Sequence, residues 1–124
     1  MTKKLTKVNT SKLSLREKQS FFVYLLSYLI QYAYNQGYEL TLGAAYRTPS
    51  EAEALATAKK GIKRSLHTER LAIDLNLFKD GKWLKKTSDH RELGAYWEGL
   101  DPLCSWGGHF NDGNHYSLEH GGRK

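Results

Sequence analysis

A chain of 124 residues has room for one domain and can bury a core without covalent staples, the need for which lies below about 40 residues. Its single cysteine, Cys104, excludes an intrachain disulfide, and hydrophobic residues at 40% with aromatics at 12% exclude a disordered chain. Against 13 Asp and Glu stand 19 Lys and Arg, a surplus of +6 that favours a polyanionic partner (nucleic acid, anionic lipid or an acidic cell wall) without choosing among them.

Residues 1–12 are polar, carry Lys3, Lys4, Lys7 and Lys12, and are expected as a flexible basic arm ahead of a domain over residues 13–124. Ser14-Leu15-Arg16-Glu17 has the form of a capping box, whose serine and glutamate satisfy the free amides of a helix start. Behind it Phe22, Leu25, Leu26, Leu29 and Ala33 recur at helical spacing, a stripe that reads as core, and Gly37 supplies a stop. The apolar run from Phe21 to Ile30 falls far short of the roughly 20 residues of a spanning helix. It begins behind Arg16, Glu17 and Lys18, too deep for a signal peptide, and no A-x-A site follows. The expectation is a protein made in the cytoplasm, without an export signal of its own and without membrane insertion.

Tyr38 to Tyr46 alternates loosely and reads as a strand. Thr48-Pro49-Ser50-Glu51 is a second capping box with proline at the first helical position, and its alanine-rich helix runs to Lys60 and stops at Gly61. Lys59, Lys60, Lys63 and Arg64 form a second basic run, which like the first reads as a solvated face. Leu71 to Phe78 reads as a strand, and Asp80-Gly81 as the tight turn of a hairpin into Trp83 and Leu84. Asp89 is placed to cap a short helix through Trp97, Pro102 lies beyond its end, and a last strand runs from His115 to Glu119. Helix, strand, helix, hairpin, helix, strand is the order of a single α+β domain with helices packed on a small antiparallel sheet. Trp97 and Trp106 are expected in its core, and His90 and His120 at its surface.

Two clusters carry chemistry. On a strand, Leu71, Ile73, Leu75 and Leu77 share one face, which leaves Asp74 on the other with Ala72 and Asn76; His67 lies in the loop feeding that strand. Further on, Asp112 and His115 stand three apart at a loop-to-strand junction within a stretch that opens on Trp106-Gly107-Gly108. Brought together, His67, Asp74 and His115 would give two nitrogens and an oxygen with a fourth position left for water, the open form of a catalytic zinc site. Asp112 would stand ready as general base. Spacing alone leaves the bland alternative open, since each residue taken singly is as readily a capping or surface group.

The two clusters resemble the paired signatures of the zinc peptidase family that includes D-Ala-D-Ala carboxypeptidases and phage L-alanyl-D-glutamate endolysins. Ser65, His67, Ala72 and Asp74 fall in register with the first signature. Trp106, Gly107, Gly108, Asp112 and His115 fall in register with the second, and Tyr46-Arg47-Thr48-Pro49-Ser50-Glu51 matches an upstream segment. The resemblance implies a hedgehog/DD-peptidase-like fold and one zinc ion per chain held by His67, Asp74 and His115. It also implies Asp112 as base, Arg47 as binder of a substrate carboxylate or of the oxyanion, and Ser65 at the site's margin. Two positions depart from the family: Arg70 stands where a glycine is expected, and Ser117 where a glutamate is common, with Glu119 two residues on as a possible substitute from behind the ligands. His109 is expected at the cleft entrance. The implied activity is hydrolysis of peptidoglycan stem peptides, as an endolysin or as a D,D-carboxypeptidase, with a non-catalytic wall-binding module as the reading of another class. The expected partners are the stem peptide and the anionic wall, not nucleic acid, and the expected state is a monomer.

Overall fold

The first helix, α1 (Leu15–Asn35), begins at the capping box the sequence proposes. Ser14 Oγ accepts from Glu17 N at 3.2 Å, and Glu17 accepts from Ser14 N at 2.9 Å. The protein is described by a computed structural model over residues 12–58 and 65–124. Most of the expected basic arm, and the basic run at Lys59, Lys60, Lys63 and Arg64 with Gly61, lie outside those residues.

After α1 come β1 (Glu39–Leu42), α2 (Pro49–Thr57), a 3-10 turn over Leu66–Glu69, β2 (Ala72–Lys79) and β3 (Lys82–Leu84). A second 3-10 turn (Thr87–His90), α3 (Arg91–Leu100), β4 (Cys104–Trp106), a third 3-10 turn (Gly107–Phe110) and β5 (His115–Leu118) complete the described chain. The strands form one antiparallel sheet in the order β1-β2-β5-β4, with β3 paired to β2. One edge of β2 carries β1 from Leu75 to Phe78; the other is shared, by β3 near its C-terminal end and by β5 near its start.

The alternation expected of β2 holds. Leu71, Leu75 and Leu77 are fully buried and Ile73 nearly so, packed with Phe22, Leu25, Leu29 and Ala33 of α1, Leu93 and Trp97 of α3, and Tyr116 and Leu118 of β5. Each such leucine contributes about 1.5–3 kcal/mol of transfer free energy, so this face fixes the register that puts Asp74 on the other. Trp97 and Trp106 lie in the core, as expected. Trp97 Nε1 is satisfied there by the carbonyls of Ser117 (3.0 Å) and Ser105 (3.2 Å).

Several elements differ from expectation. β1 stops at Leu42, because beyond Ala44 the main chain serves His67 instead of the sheet: Ala45 O meets its ring, and Arg47 N donates to its carbonyl. Asp89 does not cap a helix from outside; it accepts from Lys86 N within a 3-10 turn, and α3 starts only at Arg91. β4, three buried residues without alternation, was not anticipated. His90 is not exposed but buried, its Nδ1 2.8 Å from the Tyr116 hydroxyl. His120 is half-buried, with Nδ1 3.2 Å from the Nζ of buried Lys18. Among the described residues, no helix is long and apolar enough to cross a membrane.

Candidate metal centre

Asp74 and His115 are direct partners across the β2–β5 pair. Asp74 spends both its main-chain groups on the β1 side, toward Ala44 O and Gly43 N, while His115 N donates to Asp112 O. The two residues therefore form a non-hydrogen-bonded pair, the kind in which facing side chains stand closest. Gly43 passes directly over this position: a Cβ there would lie 3.0 Å from the Asp74 carbonyl oxygen. His67 arrives from the 3-10 turn, which Ser65 caps by accepting from His67 N at 3.2 Å. The turn ends on Arg70 at φ 58°, the left-handed conformation that explains why a glycine suits this position. Arg70 occupies it with its guanidinium 3.9 Å from the ring centroid of Tyr46, a cation–π contact that offsets the backbone cost.

Each imidazole is oriented from behind. His67 Nδ1–H donates to the Ala45 carbonyl (2.7 Å), and His115 Nε2–H to the main-chain oxygen of Lys124 (3.3 Å). In the neutral rings the lone pairs then fall on His67 Nε2 and His115 Nδ1, which lie 3.4 and 3.5 Å from Asp74 Oδ1. That oxygen is buried and has no hydrogen-bond partner. Three lone-pair atoms converging in a buried place repel one another unless a proton or a cation stands between them. The three donor atoms lie within 4.8 Å of one another. Zinc bonds of about 2.0–2.2 Å in a tetrahedron would set ligands about 3.3–3.5 Å apart, which the two measured separations match. The donor set fits a divalent ion. Burial would raise the Asp74 pKa, but the adjoining His115 and His67 outweigh it and hold the carboxyl at about 2, so it is ionised at neutral pH as a ligand must be.

The Trp-Gly-Gly stretch shapes the loop beside this set. The Trp106 indole lies against Gly94 and Gly108, where an added Cβ would come within 2.1 and 2.2 Å of the ring. Its Nε1 donates to Gly113 O at 2.7 Å, which pins the turn carrying Asp112. Asp112 N in turn donates to Gly107 O at 2.8 Å. Asp112 Oδ2 lies 3.8 Å from the same His115 nitrogen that faces Asp74. Its side chain is about half exposed, and burial raises its pKa while the charges of His115 and, more weakly, Arg47 draw it down. Arg47 is thus within electrostatic reach of Asp112, and its backbone is tied to His67.

The remaining predicted residues stand apart from the three donors. His109 is exposed, held by both carboxylate oxygens of Glu98 at 2.9 and 3.0 Å, and lines a separate cavity with Glu119. Glu119 lies just beyond β5, its N–H bonded to Leu103 O. Ser117, where the family has glutamate, is fully buried and donates to the Lys124 main-chain oxygen at 3.1 Å. Sequence reasoning missed the Ala45 and Lys124 carbonyls that orient the histidines, since main-chain acceptors carry no residue-type signal.

This architecture, a small antiparallel sheet with α1 and α3 on one face and a His-Asp-His cluster on the other, defines a class of fold. Among solved structures it is similar to the Serratia marcescens L-Ala D-Glu endopeptidase ChiX, at TM-score 0.69 and 17% identity, over 88% of this chain and 86% of that one. The vancomycin resistance D,D-pentapeptidase VanY of a VanB-type cassette, a structure with Zn(II), aligns at TM-score 0.49 and 19% identity over 78% of this chain and 70% of that one. No family model matches the chain, and no curated protein matches it in sequence. The chain therefore has the fold of the ChiX endopeptidase.

Proposed function

We propose that the protein is a zinc peptidase that hydrolyses a peptide bond in bacterial peptidoglycan stem peptides. The observation that carries this is the buried, unpartnered Asp74 oxygen faced by two imidazole lone pairs at tetrahedral spacing, with a carboxylate, Asp112, one step away. A structural metal site needs no such neighbour. His67, Asp74 and His115 would hold one ion per chain, and zinc bound there would supply a water with its pKa lowered to about 7 and a Lewis acid for the scissile carbonyl. Asp112 takes the proton of the attacking water and returns it to the leaving amine. Its burial-raised pKa suits that exchange. Arg47 binds a substrate carboxylate or the developing oxyanion by forked hydrogen bonds.

The bond we assign is the one between L-alanine and D-glutamate, an endolysin-type activity; the likeness to a fold neighbour bearing that name supports this over terminal D-alanine removal. The surplus of +6 would draw the protein to an anionic wall.

Purified protein should carry one zinc, lost on Asp74→Ala or His115→Ala. Asp112→Ala should keep the metal while turnover drops by roughly 10²–10⁴-fold. Mass spectrometry of digested peptidoglycan should find new N-terminal D-glutamate; new C-terminal D-alanine would reassign the bond. Walls that bind the intact protein without releasing amino groups would make it a binding module.

A further inference from the structure

The shared edge of β2 leaves a gap. Where β3 gives way to β5, a cavity of about 250 Å³ opens, lined among others by Trp83, Lys85, His90, Asp112 and Asn114. The cavity is thus lined by the proposed general base and by none of the three metal ligands.

Two features give it chemistry. Lys85 Nζ lies 4.4 Å from the Trp83 ring centroid, which holds an exposed ammonium at the rim. His90 is only 2% exposed, and its Nδ1 is 2.8 Å from the hydroxyl of fully buried Tyr116. That hydroxyl proton has no other acceptor among the described residues, so Tyr116 donates to Nδ1 and the ring proton stands on Nε2. Nε2–H is then left as a donor on a ring that walls the cavity. The lining brings an ammonium and a buried imidazole into one cavity with a carboxylate, which sorts a bound group by charge. An anion is favoured beside Lys85 and His90 and repelled from Asp112.

We infer that this cavity is a subsite for a carboxylate-bearing residue of the peptide substrate, with Lys85 as the specificity-determining cation and His90 Nε2–H as a second donor. The inference rests on the peptidase reading and deepens it: the enzyme distinguishes stem peptides with free side-chain carboxylates from those in which they are carboxamides. Lys85 is exposed, so its replacement spares the core.

The test uses zinc-loaded protein and two stem peptides that differ only in carboxylate against carboxamide. The wild type should prefer the carboxylate peptide by roughly three- to tenfold in kcat/KM. Lys85→Gln should bring that ratio to about one and Lys85→Glu should reverse it, with zinc content unchanged. A preference that is absent in the wild type, or that survives Lys85→Glu, overturns the subsite and leaves the peptidase reading intact. If neither peptide is cut, the peptidase reading fails, and peptide titration followed by the backbone amide shifts of Asn111, Gly113 and Asn114 decides the subsite. Carboxylate-dependent shifts lost in Lys85→Glu support it; their absence in the wild type removes it.

Discussion

A single methyl group at Gly107 should disable the metal centre from outside the ligand set. A Cβ built there would lie 2.2 Å from the Asp112 carbonyl oxygen and 2.8 Å from His115 Cβ, both fixed by the main chain. To recover ordinary van der Waals separation, the turn from Asp112 to His115 must retreat by about 1 Å. Overpacking of this kind costs roughly 1–3 kcal/mol of stability, and a displacement of about 1 Å in a reacting constellation costs on the order of 10²-fold in rate. Gly107→Ala should therefore fold with a lowered Tm, bind zinc more weakly in chelator competition, and lose most of its turnover on peptidoglycan. Gly99→Ala is the control, since a Cβ there meets nothing within 4 Å and should stabilise α3 by about 0.5–1 kcal/mol. A Gly107→Ala protein with wild-type zinc affinity and wild-type turnover would refute the claim that the Trp-Gly-Gly stretch sets the ligand geometry.

Trp106→Phe should cost about 1–3 kcal/mol in denaturant unfolding, because it leaves the Gly113 carbonyl without its indole donor; an unchanged midpoint would show that the bond contributes nothing. Arg70→Gly should be close to neutral in the wild type yet stabilising by about 0.5–1 kcal/mol in a Tyr46→Ala background, as relief of the left-handed backbone is no longer offset by the lost cation–π contact. Burial holds the His90 pKa below its ordinary 6.5, while the unfolded chain titrates near that value. Its contribution to stability is thus fully present above about pH 6.5 and is lost as pH falls through the folded pKa. With metal removed, the Tm of wild type should fall on acidification from pH 7 more steeply than that of His90→Gln; parallel curves would place the titration elsewhere.

What could be read from the sequence was what local chemistry encodes. Both capping boxes, the Asp80-Gly81 turn (φ 52° and 76°) and the β2 alternation are formed from interactions within a few residues, and each stands where the residue pattern puts it. The β2 pattern determines which face Asp74 takes, while the convergence of His67, Asp74 and His115 was legible only through the resemblance of the two clusters to paired signatures. Apart from Asp89, which caps its own 3-10 turn three residues from Lys86, the misses are long-range. Cys104-Ser105-Trp106 is a strand only because β5 and α3 cover it, and three residues with both faces buried show no period to detect. His90 looked solvated because its partner, Tyr116, lies 26 positions away. Arg70 departs from the family pattern, and only the Tyr46 ring, 24 positions upstream, shows how a side chain is tolerated at a left-handed position.

The pairing of Asp74 opposite His115 makes the sheet and the metal centre thermodynamically inseparable. A slip of one residue between β2 and β5 would send one donor to the far side of the sheet, so an ion gripped by both acts as a crosslink between segments distant in sequence. Its binding energy is then spent on folding, about 2.7 kcal/mol when free zinc exceeds its dissociation constant a hundredfold. Metal supply would set not only how fast this protein works but how long it survives.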